Sequence, residues 1–387
     1  MSRIFSFEEL SALGKISDDG VLAITESVKL EKKLDADMRC AKIMAYSSYV
    51  GEVAPKIHFS FTVEGQEKFL YQSHLYKMGR EGEYALQEWR TPPAFLPCFI
   101  FRVHIDIPEG TTLYVKNLTV AHEADTVRWN SDGPRHNAHL GFFSMAPNNT
   151  MAAFELAAAS GFSSCICVPK WTKDNVLVCI HDDTINKTAR DKDGKKAEEP
   201  EYVWDKTYGE LSEYEYGSYK NEIYKGAKMP LLEDFFSLCA KTGMNPMFST
   251  HPGLSEENWL RVKEMLEKLG ILKKFHIKSF GLGVLKNAYK VFGSDIDGYT
   301  WDNDDVDTEI IEKYKAFRES MSAPCRLGIE IQFKNYTEDK ARMITDADFF
   351  AAAWNISRRD YDEYERLISF GVTEFTEDNH CSMGLNY

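Results

Sequence analysis

The sequence predicts an α/β chain in which an all-β, jelly-roll-like sandwich (residues 21–128) precedes a (β/α)8 TIM barrel (residues 129–387). Three observations carry this. Up to about residue 125 apolar residues recur with a period of two, and turn signals separate the runs. After "RWNSDGPRHN" short apolar runs alternate with helical patterns, the grammar of a parallel sheet. About eight strand-like runs in roughly 260 residues suit a closed barrel better than an open sheet.

Taken in order, residues 1–20 read as a short helix, "SFEELSALG", and a linker, "KISDDG". In "KIHFSFTVEG" Ile57, Phe59, Phe61 and Val63 alternate with polar residues, and in "FRVHIDIPEG" so do Phe101, Val103, Ile105 and Ile107. The turns "VEGQ", "REGE" and "IPEGT" divide these strands, and "TTLYVKNLTVAHE" closes the sandwich. Barrel strands are read at "NAHLGFF", "SSCICVPK", "VLVCIHDD", "MNPMFSTH", "KKFHIKSF", "DIDGYTWD", "CRLGIEIQF", "DFFAAAWNI" and "GVTEFTED". Helices lie between most of them; one is bounded by Ser255 as N-cap and Gly270 at its end. The polar stretch "NKTARDKDGKKAEEPEY", within residues 185–230, reads as a long barrel loop.

Composition narrows the function classes. The 387 residues are 43% hydrophobic and 13% aromatic, enough for sizeable cores. A net charge of −14 without a long basic run argues against a nucleic-acid partner and disfavours anionic membranes. No run approaches the ~20 apolar residues of a membrane span, and the N-terminus lacks the apolar core of a signal peptide. The 8 cysteines form no CxxC pair; they read as buried thiols and, with the missing signal, place the protein in the cytoplasm.

In a barrel, chemistry sits at the C-terminal ends of the strands. There the sequence offers His139 after the first strand, His181 with Asp182 and Asp183 after "VLVCI", and His251 after "MNPMFST". Lys170 ends the second strand, and Trp354 stands near the end of the seventh. Two histidines from separate strand ends suit a general acid and base, because imidazole titrates near neutrality. A single histidine is usually structural; two at matched positions bring the functional reading level with that one. Strand parity also leaves open a three-imidazole zinc site of His139, His181 and His251. Tyr299, Trp301 and Trp354 are read either as a sugar platform or as rim packing.

With these residues in place, the chain resembles the glycerophosphodiester phosphodiesterase family. "AHLGFFSMAPNNTMAAFELAAASGF" is similar to its opening motif, and "TKDNVLVCIHDDTINKTA" to its second histidine motif. "GAKMPLLEDFFSLC" and "GVTEFTED" resemble later segments. The resemblance covers roughly residues 130–387, is strong over 137–189, and implies the same barrel. It places the two catalytic histidines on His139 and His181, and the helix-start pair on Asn149 and Thr150. Other positions depart from the family. Its phosphate-holding Arg is Leu140, a phosphate-binding Lys is Ser249, and three carboxylates that hold calcium or magnesium are Ile166, Val168 and Met247.

Three carboxylates around an empty site repel one another, and a bound cation makes such a cluster tolerable. Ile, Val and Met fill the same volume without that repulsion, so the expectation is a site with no metal cofactor. The ligand expected is a small-molecule phosphodiester or polyol phosphate, with metal-dependent hydrolysis lost or altered. Alternatives are a metal-independent phosphodiesterase using both histidines, with Lys170 reaching the phosphate, and a non-catalytic glycan- or protein-binding chain. The sandwich resembles carbohydrate-binding modules in "IPEGTTLYVKNLTV". Tyr46, Tyr49, Tyr71, Tyr76, Trp89 and Tyr114 are its candidate glycan contacts, with a structural or dimerising module as the other reading. Oligomeric state is left open.

Overall fold

The computed structural model describes residues 9, 13–33, 41–62, 71–74, 76–90, 100–122, 133–159, 162–250, 253–354 and 361–377. The chain divides into two compact units, one carrying the N-terminal sheets and one the barrel. The first unit holds β1 (Lys15–Ile16), β2 (Leu22–Ile24), β3 (Val28–Lys33), β4 (Ala41–Val50), β5 (Lys56–Thr62), β6 (Tyr71–His74), β7 (Tyr76–Glu81), β8 (Tyr84–Arg90), β9 (Ile100–Asp106) and β10 (Thr112–His122). They form two antiparallel sheets, ordered β1-β2-β10-β4-β8-β7 and β3-β9-β5-β6. Each sheet buries an apolar row: Leu22, Ile24, Ala45, Leu113 and Val115 in one, Ile57, Phe101, Val103 and Ile105 in the other.

Two details depart from the sequence reading. The expected linker contains β1, which pairs back onto β2 through a turn at Ser17–Gly20, so the sheet begins before residue 21. On β5 the polar residues Ser60 and Thr62 are buried too, and Arg102 donates to Thr62 Oγ1 at 2.7 Å. Both faces of that strand are therefore covered. Of the aromatic residues proposed as glycan contacts, Tyr46 and Tyr114 are half-buried and Tyr49 is exposed. Tyr46 and Tyr49 lie three apart on β4 and so point to opposite faces. The side chains of Tyr71, Tyr76 and Trp89 lie outside the described residues.

The second unit contains β11 (Arg135–Ala138), β12 (Ser164–Cys167), β13 (Pro169–Trp171), β14 (Leu177–Cys179), β15 (Asn245–Ser249), β16 (His276–Ser279), β17 (Gly298–Asp302), β18 (Arg326–Gln332), β19 (Phe350–Trp354) and β20 (Val372–Glu377). Eight of these close a parallel barrel in the order β11-β12-β15-β16-β17-β18-β19-β20. The run "VLVC", read as a barrel strand, is instead β14, which pairs antiparallel with β13 in a hairpin outside the barrel. Periodicity alone does not separate the two, since both bury a short apolar strand. Helices such as Met151–Ala159, Leu232–Thr242 and Glu256–Lys268 surround the barrel. Ser255 caps the last of these by accepting from the amide of Asn258, and Gly270 follows it at φ 68°. No helix among the described residues is long and apolar enough to cross a membrane.

Alternation decides which side chains see the barrel interior. Lys278 of β16 reaches Thr376 of β20, and Thr376 donates to Glu330 of β18, so these rows point inward across the barrel. Residues of the other parity, among them Cys165, Cys167, Phe248, Ile277, Tyr299 and Ile329, are buried on the outer side of the barrel wall. Burial pushes the thiols of Cys165 and Cys167 well above their usual range.

The stretch read as a polar loop is folded. Val178, Ile180, Ile185, Ala189, Val203, Leu211, Tyr216 and Met229 pack into a core of their own. A short helix, Tyr208–Ser212, starts at a capping box of Thr207 and Glu210. Trp204 stacks between Tyr202 at 5.3 Å and Trp171 of β13 at 6.2 Å, joining the insert to the hairpin.

At the N-terminal end of the barrel one carboxylate gathers three strands. Asp297 accepts from Arg135 at 2.8 Å, from His276 Nδ1 at 2.9 Å and from Arg326 at 3.2 Å. Arg326 also pairs with Glu374, to which Asn137 donates at 3.4 Å. Burial alone would raise the Asp297 carboxyl, but His276 and Arg135 hold it well below the usual carboxylate range. A depressed carboxylate contributes stability that is present above its unfolded pKa, about 3.9, and is lost as pH falls toward the folded value. Asp297→Asn is therefore expected to cost about 3 kcal/mol at pH 7. Urea titrations at pH 7 and pH 3 are expected to show the gap between variant and wild type shrinking in acid.

Candidate active site at the barrel mouth

β11 delivers His139, whose amide donates to the Glu377 carbonyl of β20 at 2.9 Å. The chain then turns sharply through left-handed backbone at Leu140 (φ 57°) and Gly141 (φ 81°), and again at Asn149 (φ 51°). A Cβ on Gly141 would meet that of Ala153 at 2.6 Å, so glycine lets the turn press against the following helix. The Asn149 amide donates to the Leu140 carbonyl at 3.0 Å, and Thr150 Oγ1 accepts from the amide of Ala153 at 3.4 Å. The loop is thus closed on itself before the helix begins.

Asn149 also couples this loop to the next strand. Its Oδ1 accepts from the Val168 amide at 3.0 Å, while the Val168 carbonyl accepts from the Ile180 amide at 3.0 Å. Ile180 immediately precedes His181. One residue's backbone therefore ties the loop of the first histidine to the hairpin of the second. The two imidazoles stand 6.4 Å apart, centre to centre, at 88° to one another. His181 Nδ1 donates to Asp182 Oδ1 at 2.6 Å, which leaves Nε2 for a ligand. The same hydrogen bond holds the Asp182 carboxyl below its usual value, so Asp182 stays an acceptor.

The insert reaches over the first loop. Tyr219 Oη accepts from the Asn148 amide at 3.0 Å, and Tyr224 donates to the Met145 carbonyl at 2.9 Å. The Lys220 ammonium lies 5.4 Å from the ring centre of Phe143, whose ring meets His139 edge-on at 6.0 Å. Burial pushes the Tyr219 phenol up to about 12, so it remains protonated near neutrality.

The remaining predicted residues divide. Lys170 lies on β13, not at the end of a barrel strand, and is 3% exposed. Its ammonium pairs with Asp183 Oδ1 at 2.6 Å, so its charge is already balanced. Trp354 does end the seventh barrel strand; its indole donates to the Asn303 carbonyl at 3.0 Å and its ring meets Phe280 at 5.8 Å. Tyr299 and Trp301 face away from the mouth, buried behind β17, with the Tyr299 hydroxyl on the Gly293 carbonyl at 2.8 Å. They are packing residues and no part of a platform. His251 lies outside the described residues.

A calcium or magnesium ion needs about six oxygen ligands. Ile166 and Met247 are register partners on β12 and β15, and with Val168 they are buried and apolar. Among the described residues no group of three or more His, Cys, Asp or Glu is placed to hold a metal. The residues present do not fit such an ion. A charged cluster that the sequence reading passed over, Lys278, Asp302 and Glu330, lies inside the barrel. Its signal was present: "FHIKSF", "GYTWD" and "LGIEIQ" each place a charge at an inward position of an apolar strand.

The site thus consists of two histidines at the C-terminal mouth of an eight-stranded parallel barrel. Residues 139–286 match the Glycerophosphoryl diester phosphodiesterase family, and this part of the chain belongs to that family. A glycerophosphodiester phosphodiesterase of Bacillus altitudinis is 30% identical over 164 residues, 40% of this chain and 61% of that protein. One from Caldanaerobacter subterraneus is 28% identical over 150 residues, 36% of this chain and 57% of that protein. The chain thus spans little more than half the length of these curated relatives. Among solved structures, an Oleispira antarctica phosphodiesterase in complex with the product sn-glycerol-3-phosphate has a TM-score of 0.55 at 20% identity, covering 64% of this chain and 94% of that one. A glycerophosphodiester phosphodiesterase of Agrobacterium tumefaciens gives 0.51 at 16% identity, covering 64% and 96%. These structural likenesses establish the fold.

Asn149→Ala is expected to destabilise the barrel by roughly 2–3 kcal/mol. The buried Val168 amide loses its acceptor, and alanine is strained in left-handed backbone. Asn149→Asp keeps both the acceptor and the tolerated backbone, and is expected to lose less than half as much in a urea titration.

Proposed function

We propose that this chain is a glycerophosphodiester phosphodiesterase-like protein that takes a polyol phosphodiester between His139 and His181 and works on it without a divalent cation. The observation that carries the reading is the surviving histidine pair, at 6.4 Å, beside apolar Ile166, Val168 and Met247. Two hydrogen bonds of about 2.8 Å to opposite oxygens of one phosphoryl group span on the order of 7 Å. A ring separation of 6.4 Å is of the order needed to accept one phosphoryl group between the imidazoles, which supports this reading.

The chemistry open to such a pair is transfer through a cyclic phosphate. One imidazole removes the proton of a substrate hydroxyl adjacent to the ester, and that oxygen forms the new P–O bond. The P–O bond to the leaving group breaks, and the other imidazole, as imidazolium, protonates the departing alkoxide. Hydrolysis of the cyclic diester runs the same roles in reverse. Asp182 holds His181 in the tautomer this requires. The route demands a hydroxyl next to the phosphoester, which glycerol and inositol phosphodiesters possess. The Oleispira antarctica structure, with its bound sn-glycerol-3-phosphate, supports a small polyol phosphate as the ligand class.

The test is phosphorus NMR of the full chain with a glycerophosphodiester in the presence of EDTA. Turnover is expected to resist the chelator, to pass through a cyclic phosphate, and to fall at least about a hundredfold in His139→Ala and in His181→Ala. EDTA-sensitive turnover would overturn the metal-independent reading. Ligand binding without turnover under every condition would make the chain a pseudoenzyme.

A further inference from the structure

The insert meets the mouth of the barrel through two side chains that the reaction above does not use, Tyr219 and Lys220. They sit on a turn that is closed on itself. Tyr216 donates its amide to the Ala227 carbonyl at 2.7 Å, and Lys220 donates its own to the Gly217 carbonyl at 2.9 Å. Glu215 Oε2 accepts from the amides of Gly217 at 2.9 Å, Ser218 at 3.0 Å and Gly226 at 3.3 Å. A Cβ on Gly217 would meet the Tyr224 carbonyl oxygen at 1.8 Å, so glycine lets the two limbs of the turn touch. Residues 219 and 220 are therefore presented from a fixed frame.

That frame is fastened to the loop that follows His139, by Tyr219 on the Asn148 amide and Tyr224 on the Met145 carbonyl. The Tyr219 hydroxyl only accepts there. It donates to none of the described residues, which leaves its proton for a ligand. The Lys220 ammonium stands 5.4 Å from the Phe143 ring centre, and that ring meets His139 at 6.0 Å. One phenyl ring thus separates the ammonium from the imidazole. Tyr219, Lys220, Phe143 and His139 are all partly exposed, and the His181 side chain is 48% exposed, so solvent reaches this face without a buried passage.

Charge selects the ligand group. The two carboxylates next to His181 are engaged, Asp182 with His181 Nδ1 and Asp183 with Lys170. Against these, Tyr219 offers a hydroxyl proton and Lys220 a positive charge, the complement of a phosphoryl oxygen. The histidines move protons but carry no permanent charge, and positions 140 and 249 hold leucine and serine. We propose that Tyr219 and Lys220 are the phosphoryl-binding arm of the site, Tyr219 donating to one non-bridging oxygen and Lys220 facing a second as a point charge. The closed turn lowers the ordering cost of holding both groups in place. This rests on the reading of the histidine pair given above.

The experiment is a calorimetric titration of the full chain with sn-glycerol 3-phosphate at low and at high ionic strength. Lys220→Met is expected to weaken binding about tenfold at low ionic strength and by much less at high, because salt screens what the ammonium contributes. Lys220→Arg is expected to bind within about threefold of the wild type, since it keeps the charge. Tyr219→Phe is expected to weaken binding about fivefold at both ionic strengths, the loss of one hydrogen bond. If Tyr219→Phe does not fold, as judged by its thermal melt, the two Lys220 variants decide alone. Full affinity in Lys220→Met or in a folded Tyr219→Phe, or a Lys220→Met loss that is equal at both ionic strengths, would overturn the proposal. Failure of the histidine reading looks different. His139→Ala and His181→Ala then bind as the wild type does while the Lys220 pattern holds, and the arm stands without the pair. If instead the histidine variants lose affinity and the insert variants keep it, the arm falls and the pair stands. A wild type that binds the ester at neither ionic strength removes both.

Discussion

The mouth of this barrel depends on the peptide groups of Val168. Its amide is taken by Asn149 and its carbonyl by the amide before His181, so both histidine-bearing segments hang from one position of the second strand. Because the junction is made by backbone, the side chain at 168 is free of it. Valine can stand where the resembling family has a metal-binding carboxylate without disturbing the geometry that pairs the imidazoles. Asn149 has to be asparagine, or something very close to it. The position asks for left-handed backbone and for a side-chain oxygen at once.

The interior of the barrel has two unlike walls. On β12 and β15 the inward row is Ile166 and Met247, extended by Val168, and burial of each such side chain contributes roughly 1.5–3 kcal/mol. On β16, β17, β18 and β20 the inward row carries Lys278, Asp302, Glu330 and Thr376. Two ionised carboxylates about 4 Å apart repel by about 4 kcal/mol at the effective dielectric of a partly hydrated protein. The charged wall offsets that repulsion with the Lys278 ammonium, which pairs with both Glu330 and Asp302, whereas the apolar wall has no carboxylate to accommodate. The N-terminal end of the barrel uses the opposite device. There Asp297 is surrounded by Arg135, Arg326 and His276 and remains ionised.

The insert between the second strand's hairpin and the third strand is part of the same construction. It has its own apolar core, and it sends Tyr219 and Tyr224 to backbone groups of the loop that follows His139. Lys220, over Phe143, brings a positive charge toward that loop, where the family's cationic residues at 140 and 249 are missing. Lys170 does not fill that gap, since Asp183 already holds it.

Much of this was legible in the sequence. A period of two followed by alternating strands and helices specified the antiparallel sheets and the closed barrel, because each element must bury its apolar face. The histidines at 139 and 181 were legible because the residues around them keep a recognisable spacing. Local pattern could not tell β14 from a barrel strand, since a hairpin and a barrel bury the same short apolar run. Nor could it show that "NKTARDKDGKKAEEPEY" belongs to a folded insert, whose core is assembled from residues as distant as Val178 and Met229. Partners were beyond it as well. Lys170 with Asp183, and Lys278 with Glu330 and Asp302, are joined across 13 to 52 positions of chain. The sequence by itself determined which residues face inward, because alternation along a strand is local. Only the closure of the barrel decided which inward residues meet, because that depends on the register between strands far apart in the chain.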